Sequence, residues 1–219
     1  MRVDLLPFST HRKGILFPAR VESRLSVRYP YKEVVDDTKL IQIVDAALAE
    51  AASNAGAWLK CRPGCCECCL GAFEISALDA DRLRHGLTEL ETRDAARATR
   101  VRTRAREAAA RLRREYPGDT TNRVLNEAAD DNQPCPVLDP ATGTCDLYAS
   151  RPLTCRTFGP AIRTGGAVGI CELCFPGATE EEIAGCAVEL DADALERPFL
   201  QQLAGEEIPC PTLVALALE

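Results

Sequence analysis

Histidine is nearly absent from this sequence, in which His11 and His85 are the only two among 219 residues. Neither histidine lies close to a cysteine in sequence, and neither is paired with a serine or cysteine nucleophile in a local catalytic motif. A phosphate-binding loop and a dinucleotide-binding fingerprint are also missing. Catalytic residues are therefore unknown, the question of enzymatic activity stays open, and any metal site must be built mainly from sulfur.

A net positive charge and long apolar runs are also lacking. The formal net charge is −7 and the pI is near 5.1, which argues against a nucleic-acid partner or a membrane surface, since both select for a positive field. No apolar run approaches the roughly 18 residues that span a bilayer. The first ten residues, which include Asp4, lack the apolar core of a secretory signal. We therefore expect a cytoplasmic protein without a membrane partner.

Cysteine, by contrast, is abundant, with twelve in the chain. In the reducing cytoplasm a dense cysteine pattern indicates metal or redox chemistry more often than structural disulfides. The chain has 46% hydrophobic residues and is long enough to bury its own core, so a metal is not needed merely for folding. The abundance of thiols therefore favours a functional metal site.

Helical periodicity begins at Asp36, after an arm (residues 1–35) that has prolines but no helical period and is predicted to be extended. Apolar residues at helical spacing predict a first helix that ends just before the first cysteine. Two more helices are expected after the first cysteine cluster, broken near Gly86, because Ser76 and Thr88 each begin a capping-box pattern.

Arginine dominates the stretch from Asp79 to Tyr116. The arginines surround the predicted helix rather than line one face, and acidic residues alternate with them. This pattern is typical of a solvated helix with salt bridges, and it makes a nucleic-acid surface the weaker interpretation.

Residues 131–177 are rich in proline, glycine and cysteine and show little periodicity, so bound metal and short turns are expected to set their conformation. Helices return afterwards, one from Thr179 to about Leu190 and one from Asp193 to Leu203. The predicted fold class is mainly α, with a single helical domain over residues 36–219 and an irregular cysteine-rich metal-binding layer.

Five cysteines fall within nine residues, in the segment Cys61-Arg62-Pro63-Gly64-Cys65-Cys66-Glu67-Cys68-Cys69. Cys65 and Cys68 are separated by two residues, a spacing that lets one turn present two sulfurs to a tetrahedral metal ion. In each adjacent pair the two side chains point in different directions unless the backbone bends strongly. Either two metals share this segment, or one cysteine of each pair is packed or free.

Two later stretches supply further sulfurs. Cys135, Cys145 and Cys155 lie in the irregular region, and Cys171 and Cys174 repeat the two-residue spacing. Two Cys-x-x-Cys motifs are enough to supply the four sulfurs of one metal site. Sulfur-rich ligation selects zinc or iron and disfavours magnesium or calcium. More than one metal ion is expected, because the available sulfurs exceed one tetrahedral set.

Some cysteines have a competing interpretation. Buried, inert cysteines are common singly, but clustering beside charged residues argues against that interpretation for the first segment. Redox pairing is the alternative to ligation for Cys171 and Cys174. Cys186 lies on a predicted helix, where a core position and a ligand role compete, and Cys210, between two prolines, is expected to be structural or free.

The order of these motifs resembles a known family. Cys-Arg-Pro-Gly-Cys-Cys-Glu-Cys-Cys, then Cys-Pro-x-Leu, then Gly-x-Cys-x-x-Tyr-x-x-Arg-Pro-x-x-Cys-Arg, is similar to the CxxCxxCC domain family, also called YkgJ-like, whose members are described as chelating zinc or iron. The resemblance covers about half the chain, and one departure is Cys66, where a glycine is common. It implies metal ligation by Cys61, Cys65, Cys68, Cys69, Cys135, Cys145 and Cys155.

The remaining predicted site residues follow from the same motifs. The Cys-x-x-Cys spacing adds Cys171 and Cys174 to the predicted metal ligands. Arg151 and Arg156 match the Arg-Pro and Cys-Arg elements of the family. We predict that they lie beside the cofactor, because guanidinium groups balance the negative charge of several thiolates around a divalent ion.

The leading hypothesis is a protein that binds zinc or iron through a multi-cysteine thiolate site. A second hypothesis is an iron–sulfur enzyme, with a 4Fe–4S cluster, or the partner of a modifying enzyme, because flagellin lysine methylases carry a similar cysteine domain. The radical S-adenosylmethionine enzymes share the Cys-x3-Cys-x2-Cys spacing, but this short helical chain does not fit their β/α barrel. A third hypothesis is a structural zinc protein for protein–protein contact. The expected partners are metal ions. The second and third hypotheses add a small-molecule substrate or a protein partner.

Overall fold

The computed structural model of the chain describes residues 5–8, 35–128, 132–204 and 209–219. Helices dominate these ranges, which confirms the predicted fold class, mainly α. No helix in the described ranges has both the length and the apolar character needed to cross a membrane. The α-helices are α1 (Thr38–Ala55), α2 (Ala77–Arg93), α3 (Ala95–Glu115), α4 (Thr120–Glu127), α5 (Leu153–Thr157), α6 (Glu180–Cys186), α7 (Ala192–Ala204) and α8 (Val214–Ala217).

Short strands hold the irregular segments together. They form one four-stranded sheet, in the order β1-β6-β5-β7, and two sheets of two strands, β2-β8 and β3-β4. In the larger sheet β5 and β6 are antiparallel, while β1 runs parallel to β6 and β7 runs parallel to β5. The strands are β1 (Leu5–Phe8), β2 (Glu74–Ile75), β3 (Leu138–Asp139), β4 (Thr144–Cys145), β5 (Ile162–Thr164), β6 (Ala167–Cys171), β7 (Val188–Glu189) and β8 (Thr212–Leu213).

The β5–β6 hairpin is regular structure within a region for which none is predicted from the sequence. Gly165 and Gly166 form its two-residue turn, with φ angles of 58° and 87°. Two consecutive residues with positive φ are typical of the type I′ turn, which favours glycine and matches the twist of the strands. The Gly-Gly pair is therefore the sequence feature that identifies this hairpin. The hairpin places Cys171 at the end of β6.

The first helix begins and ends as predicted, and the second begins as predicted. The helix α1 ends at Ala55, and a 3₁₀ turn, Gly56–Trp58, carries the chain towards the first cysteine. The Oγ of Ser76 accepts a hydrogen bond from the backbone N–H of Asp79 at 3.0 Å and so caps α2. The apolar positions of both helices face the core, as helical periodicity requires.

The predicted break at Gly86 is wrong, because α2 continues through this residue without interruption. A Cβ atom at Gly86 would lie only 2.1 Å from Oγ of Ser150. The glycine therefore permits close packing of α2 against the 3₁₀ turn Tyr148–Ser150, rather than ending the helix. Spacing along the sequence does not reveal this contact, since Ser150 comes from a distant segment.

The boundary between α2 and α3 falls instead at Asp94. Its carboxylate accepts a hydrogen bond from the backbone N–H of Arg97 at 2.9 Å, which caps α3. Thr88, the predicted cap, lies inside α2, and its hydroxyl donates to the carbonyl of Arg84 at 3.0 Å. The predicted capping box at Thr88 is therefore wrong.

The helices after the hairpin are also close to prediction. Thr179 and Glu182 form the predicted capping box at the start of α6, with each side chain accepting from the backbone N–H of the other. The helix α6 ends at Cys186 rather than near Leu190, because Val188 leaves it to pair with Ile162 in the larger sheet. The helix α7 agrees with the helix predicted from Asp193 to Leu203 to within one residue at either end, but it is not the last, because the short helix α8 follows it.

Two hydrophobic clusters lie beneath the cysteine segments. One contains Cys135 and the apolar faces of α2 and α3, with Cys69 and Cys145 packed against it. The other contains Cys174 and Phe175, with Cys171 packed against it. The cysteine-bearing segments therefore connect the two parts of the core.

The predicted extended arm, residues 1–35, lies mostly outside the described residues. Its described parts are β1, which pairs with β6, and Val35, which belongs to the core. The division of the chain into an arm and a domain over residues 36–219 stays a prediction.

Candidate metal centre

The first and second cysteine stretches are joined through their backbones. The N–H of Cys135 donates to the carbonyl of Cys69 at 2.7 Å, and Leu70 and Pro134 form an antiparallel bridge beside it. The helices α2, α3 and α4 separate these two segments along the chain but not in space. Backbone pairing therefore brings together sulfurs from two predicted stretches.

A 3₁₀ turn, Glu67–Cys69, bends the chain strongly within the first stretch. The N–H of Cys69 donates to the carbonyl of Cys66 at 2.8 Å, and the thiols of Cys68 and Cys69 hydrogen-bond to each other. The thiols of Cys68 and Cys69 therefore lie close together, which the sequence allows only where the backbone bends strongly. The hydrogen bond from Cys69, followed by burial, raises the pKa of the Cys68 thiol well above its ordinary value.

Four cysteines form what we call the inner group; three of them lie in or against the core of α2 and α3, and the fourth, Cys155, interacts electrostatically with two of these three. Burial raises the pKa of the Cys135 thiol to about 12 and is also the main cause of the raised pKa of Cys145 and of Cys155. Cys68 adds to the rise in the pKa of all three thiols, so its sulfur lies near each of them. The inner group consists of Cys69, Cys135, Cys145 and Cys155.

Four other cysteines, the outer group, surround a small cavity together with Cys68. The cavity has a volume of about 20 Å³, which is room for a single water molecule or ion. Cys61 is exposed at one side of it and Cys174 is buried at the other. The outer group consists of Cys61, Cys65, Cys171 and Cys174. Because Cys68 adjoins both groups, the nine predicted ligands form one continuous set.

Backbone amides donate to several of these sulfurs. The N–H of Val137 donates to the thiol of Cys135, and the N–H of Leu147 donates to that of Cys145. The thiol of Cys171 accepts from the amides that follow it, at Leu173 and Cys174. Each bond lowers the pKa of the sulfur that accepts it, because it stabilises the thiolate more than the thiol. These turns therefore place N–H donors where a metal-bound thiolate would accept them.

Arg151, for which a charge-balancing role is predicted, exerts an electrostatic effect on several of these sulfurs. Its positive charge lowers the pKa of Cys61, Cys68 and Cys145, so its guanidinium lies within electrostatic range of both groups. The guanidinium carbon stacks 3.6 Å from the ring centroid of Tyr148. Its Nε is buried and has no hydrogen-bond partner among the described residues. A buried donor of this kind fits an anion, such as a thiolate, in the same space.

Arg156 has different partners. Its Nη1 donates to both carboxylate oxygens of Asp45, at 2.7 and 3.0 Å, and its Nε donates to the carbonyl of Arg151 at 3.1 Å. Its Nη2 donates to the carbonyl of Ala149. Arg156 therefore connects the 3₁₀ turn before Arg151 to α1, and a direct role beside the cofactor stays a prediction.

Two acidic residues that support the inner group are not predicted from the sequence. Asp146, which follows Cys145, is nearly inaccessible and accepts from Arg97 and Arg104 of α3. Asp79 is buried and accepts from the N–H of Leu153 at 3.0 Å, at the start of the helix that carries Cys155. The arginine-rich composition of α3 indicates salt bridges, but only the fold shows that two of them end on a residue next to a predicted ligand.

The remaining cysteines and histidines lie elsewhere or have other roles. Cys186 is buried, and its thiol donates to the carbonyl of Asn54 at 3.3 Å, which fits the core interpretation. Cys210 is exposed, and Cys66 is half-buried just before the 3₁₀ turn. His85 is exposed beside Asp81, and His11 lies outside the described residues.

The donor chemistry of the nine-cysteine set fits zinc or iron. In the described part of the chain, no three cysteine, histidine, aspartate or glutamate side chains are arranged to hold a metal ion as they stand. Coordination must therefore draw the sulfurs closer together than they lie here. Thiol donors, amides that stabilise thiolates and a buried guanidinium all meet what a sulfur-ligated cation requires.

The fold and the donor set define a helical, sulfur-rich metal-binding protein. The CxxCxxCC family model, described as "Putative zinc- or iron-chelating domain", matches residues 60–174, which is more than half of the chain. The chain belongs to this family. No curated protein and no solved structure matches the chain.

Proposed function

We propose that the chain binds two metal ions, zinc or iron, one in the inner and one in the outer group, with the sulfur of Cys68 between them. The observation that carries this proposal is the division of the nine thiols. Each group offers four sulfurs, and Cys68 adjoins both. Four thiolates are the tetrahedral set that zinc and iron–sulfur sites use.

The surrounding charges support two sulfur-ligated ions. Eight thiolates around two divalent ions leave a large negative charge, which must be offset by nearby cations and hydrogen-bond donors. Arg151 lies near sulfurs of both groups, and backbone amides donate to Cys135, Cys145 and Cys171. Metal must also displace the thiol protons, which burial holds in place in the metal-free chain.

Metal analysis and native mass spectrometry of anaerobically purified protein test the proposal. We expect two ions per chain. Cys155→Ser, in the inner group, and Cys171→Ser, in the outer group, should each reduce the count by one. Cys210→Ser is the matched control, because this cysteine is exposed and belongs to neither group. A holo mass with a single mononuclear ion in the unaltered protein would reject the two-metal function.

A second candidate function, an iron–sulfur enzyme, is favoured by one observation. A cavity of about 300 Å³ with mostly apolar walls lies against Cys135, and Arg104, Glu107 and Arg111 line it on the α3 side. This volume is at the lower end of the range for small-molecule sites. A substrate bound there would lie next to the inner group. Brown protein with visible sulfur-to-iron absorption would favour this function, whereas colourless protein with stoichiometric zinc would favour metal storage or a structural role.

A further inference from the structure

We propose that the outer group is an exchange site, through which zinc enters and leaves the protein, whereas the inner group retains its ion. This inference rests on the two-metal function proposed above and adds to it a division of roles. The ion in the outer group is cargo, and the ion in the inner group is part of the structure.

The outer group is held by a segment that is open to solvent. Residues 60–64 are all exposed, including Cys61. The hydrogen bond that shapes this segment is local, from the N–H of Cys65 to the carbonyl of Arg62 at 2.9 Å. Leu173, which also lines the cavity, is 49% exposed. A short segment with few buried contacts opens at a low free-energy cost.

None of the four inner cysteines is exposed as Cys61 is. Cys135 is buried, and both Cys69 and Cys145 pack against the core of α2 and α3. The backbone bond between Cys135 and Cys69 and the ion pairs of Asp146 with α3 hold these cysteines from two sides. The cavity of about 300 Å³ reaches Cys135, but the other three cysteines of the inner group do not line it. Ligand replacement at those three sulfurs requires part of this core to open, and such openings approach the free energy of global unfolding.

The exposed position of Cys61 indicates how transfer proceeds. A thiolate from an acceptor, a second protein or a small thiol, forms a bond to the outer ion while the bond from Cys61 breaks. The released Cys61 takes a proton from solvent, so charge and ligand number are conserved. Lys60 and Glu67 lie at the same cavity and are exposed, so an acceptor that approaches there meets one charge of each sign.

Isotope exchange measures the division of roles directly. Protein loaded anaerobically with natural zinc is mixed with an excess of one enriched zinc isotope, and native mass spectrometry follows the mass over time. We expect one ion to exchange at least tenfold faster than the other. Cys61→Ser should accelerate or abolish the fast phase. The slow phase should stay unchanged, and an unchanged slow phase would also show that the variant is folded. Cys210→Ser should change neither phase.

The assignment of each phase comes from alkylation after the fast ion has been removed with a chelator. Peptide mapping should then find the outer cysteines modified and the inner cysteines protected. Modification of Cys135 or Cys155 before Cys61 would overturn the inference, and so would two ions that exchange at one rate. A protein that holds only one ion would instead overturn the two-metal function itself, so the two failures are distinguishable.

Discussion

Arg104 of α3 donates from Nη2 to Oδ2 of Asp146, 2.6 Å away, and from Nε to the carbonyl of Pro136 at 2.8 Å. Pro136 and Asp146 each follow a cysteine of the inner group. One arginine side chain therefore holds the chain before β3 and directly after β4, at the residues next to the two sulfurs. The position of the inner group depends on α3 as well as on any metal.

Replacement of Asp146 should destabilise the protein and weaken its hold on metal. Asp146→Ala leaves Arg97 and Arg104 without their shared carboxylate. Breaking a buried ion pair costs about 3–5 kcal/mol and an exposed one up to about 1 kcal/mol, so we expect about 2–3 kcal/mol for a buried acid with partly exposed partners. Urea unfolding measures this cost. Glu91→Ala, which breaks an exposed pair with Arg102, is the control and should cost less than about 1 kcal/mol; equal costs would contradict the expectation.

Arg151 should matter for metal affinity more than for folding. Arg151→Glu places a negative charge beside the sulfurs, so we expect the zinc affinity to fall by about tenfold or more, as for other residues that support metal ligands. Competition with a chelator measures the affinity. Arg151→Lys keeps the charge and should retain more of the zinc affinity. Arg114→Glu, on the exposed face of α3, is the surface control. Unchanged zinc affinity in Arg151→Glu would show that Arg151 does not support the metal centre.

Gly86 gives a prediction about packing next to Arg151. Helix propensity alone predicts that Gly86→Ala stabilises α2 by about 1 kcal/mol. Because the new Cβ would meet the side chain of Ser150, we expect instead a loss of about 1–3 kcal/mol. Adding Ser150→Gly to the Gly86→Ala chain should restore most of the lost stability. Thermal unfolding of the single and double variants measures these changes in stability. If Gly86→Ala were more stable than the unaltered protein, the contact with Ser150 would be loose.

Glu196 should make stability depend on pH. It accepts a hydrogen bond from Ser76, and burial, followed by the charge of Asp79, raises its pKa from 4.5 to about 7, while Arg82 acts in the opposite direction. The folded state therefore favours the protonated acid. This contribution to stability is fully present below about pH 4.5 and is lost as the pH rises through about 7.

The matched variant isolates that dependence. Glu196→Gln keeps a neutral side chain of the same shape at every pH. Its stability relative to the unaltered protein should rise by about 2 kcal/mol between roughly pH 5.5 and pH 8, since one pKa unit corresponds to about 1.4 kcal/mol. Urea unfolding of both proteins at a series of pH values measures the difference. A constant difference across this range would show that Glu196 does not titrate there.

The helices could be predicted from the sequence where their caps and apolar spacing are local. Ser76 and Thr179 identify two helix starts because each makes its capping contact within three residues. Gly86 is misjudged because its reason, the approach of Ser150, depends on a distant segment. The β5–β6 hairpin is missed although its Gly-Gly turn is a local feature.

For the candidate site, motif spacing selects the cysteines but not their grouping. Cys68 and Cys69 are adjacent in sequence, yet only the 3₁₀ turn shows that their thiols meet. The division into inner and outer groups depends on the pairing of Cys69 with Cys135, which no local pattern contains. Asp146 is missed for the same reason, because its partners lie on α3.

Hydrogen exchange on the metal-bound protein and on protein stripped of metal by a chelator tests most directly whether distant cysteine segments share one metal centre. Binding energies of about 10 kcal/mol or more in structural zinc peptides are large enough to order both segments. Removing the metal should therefore deprotect residues 61–69 and 135–174 together, while residues 39–58 and 88–112, held by apolar packing, keep most of their protection. Deprotection of only one of the two cysteine segments would contradict a shared centre.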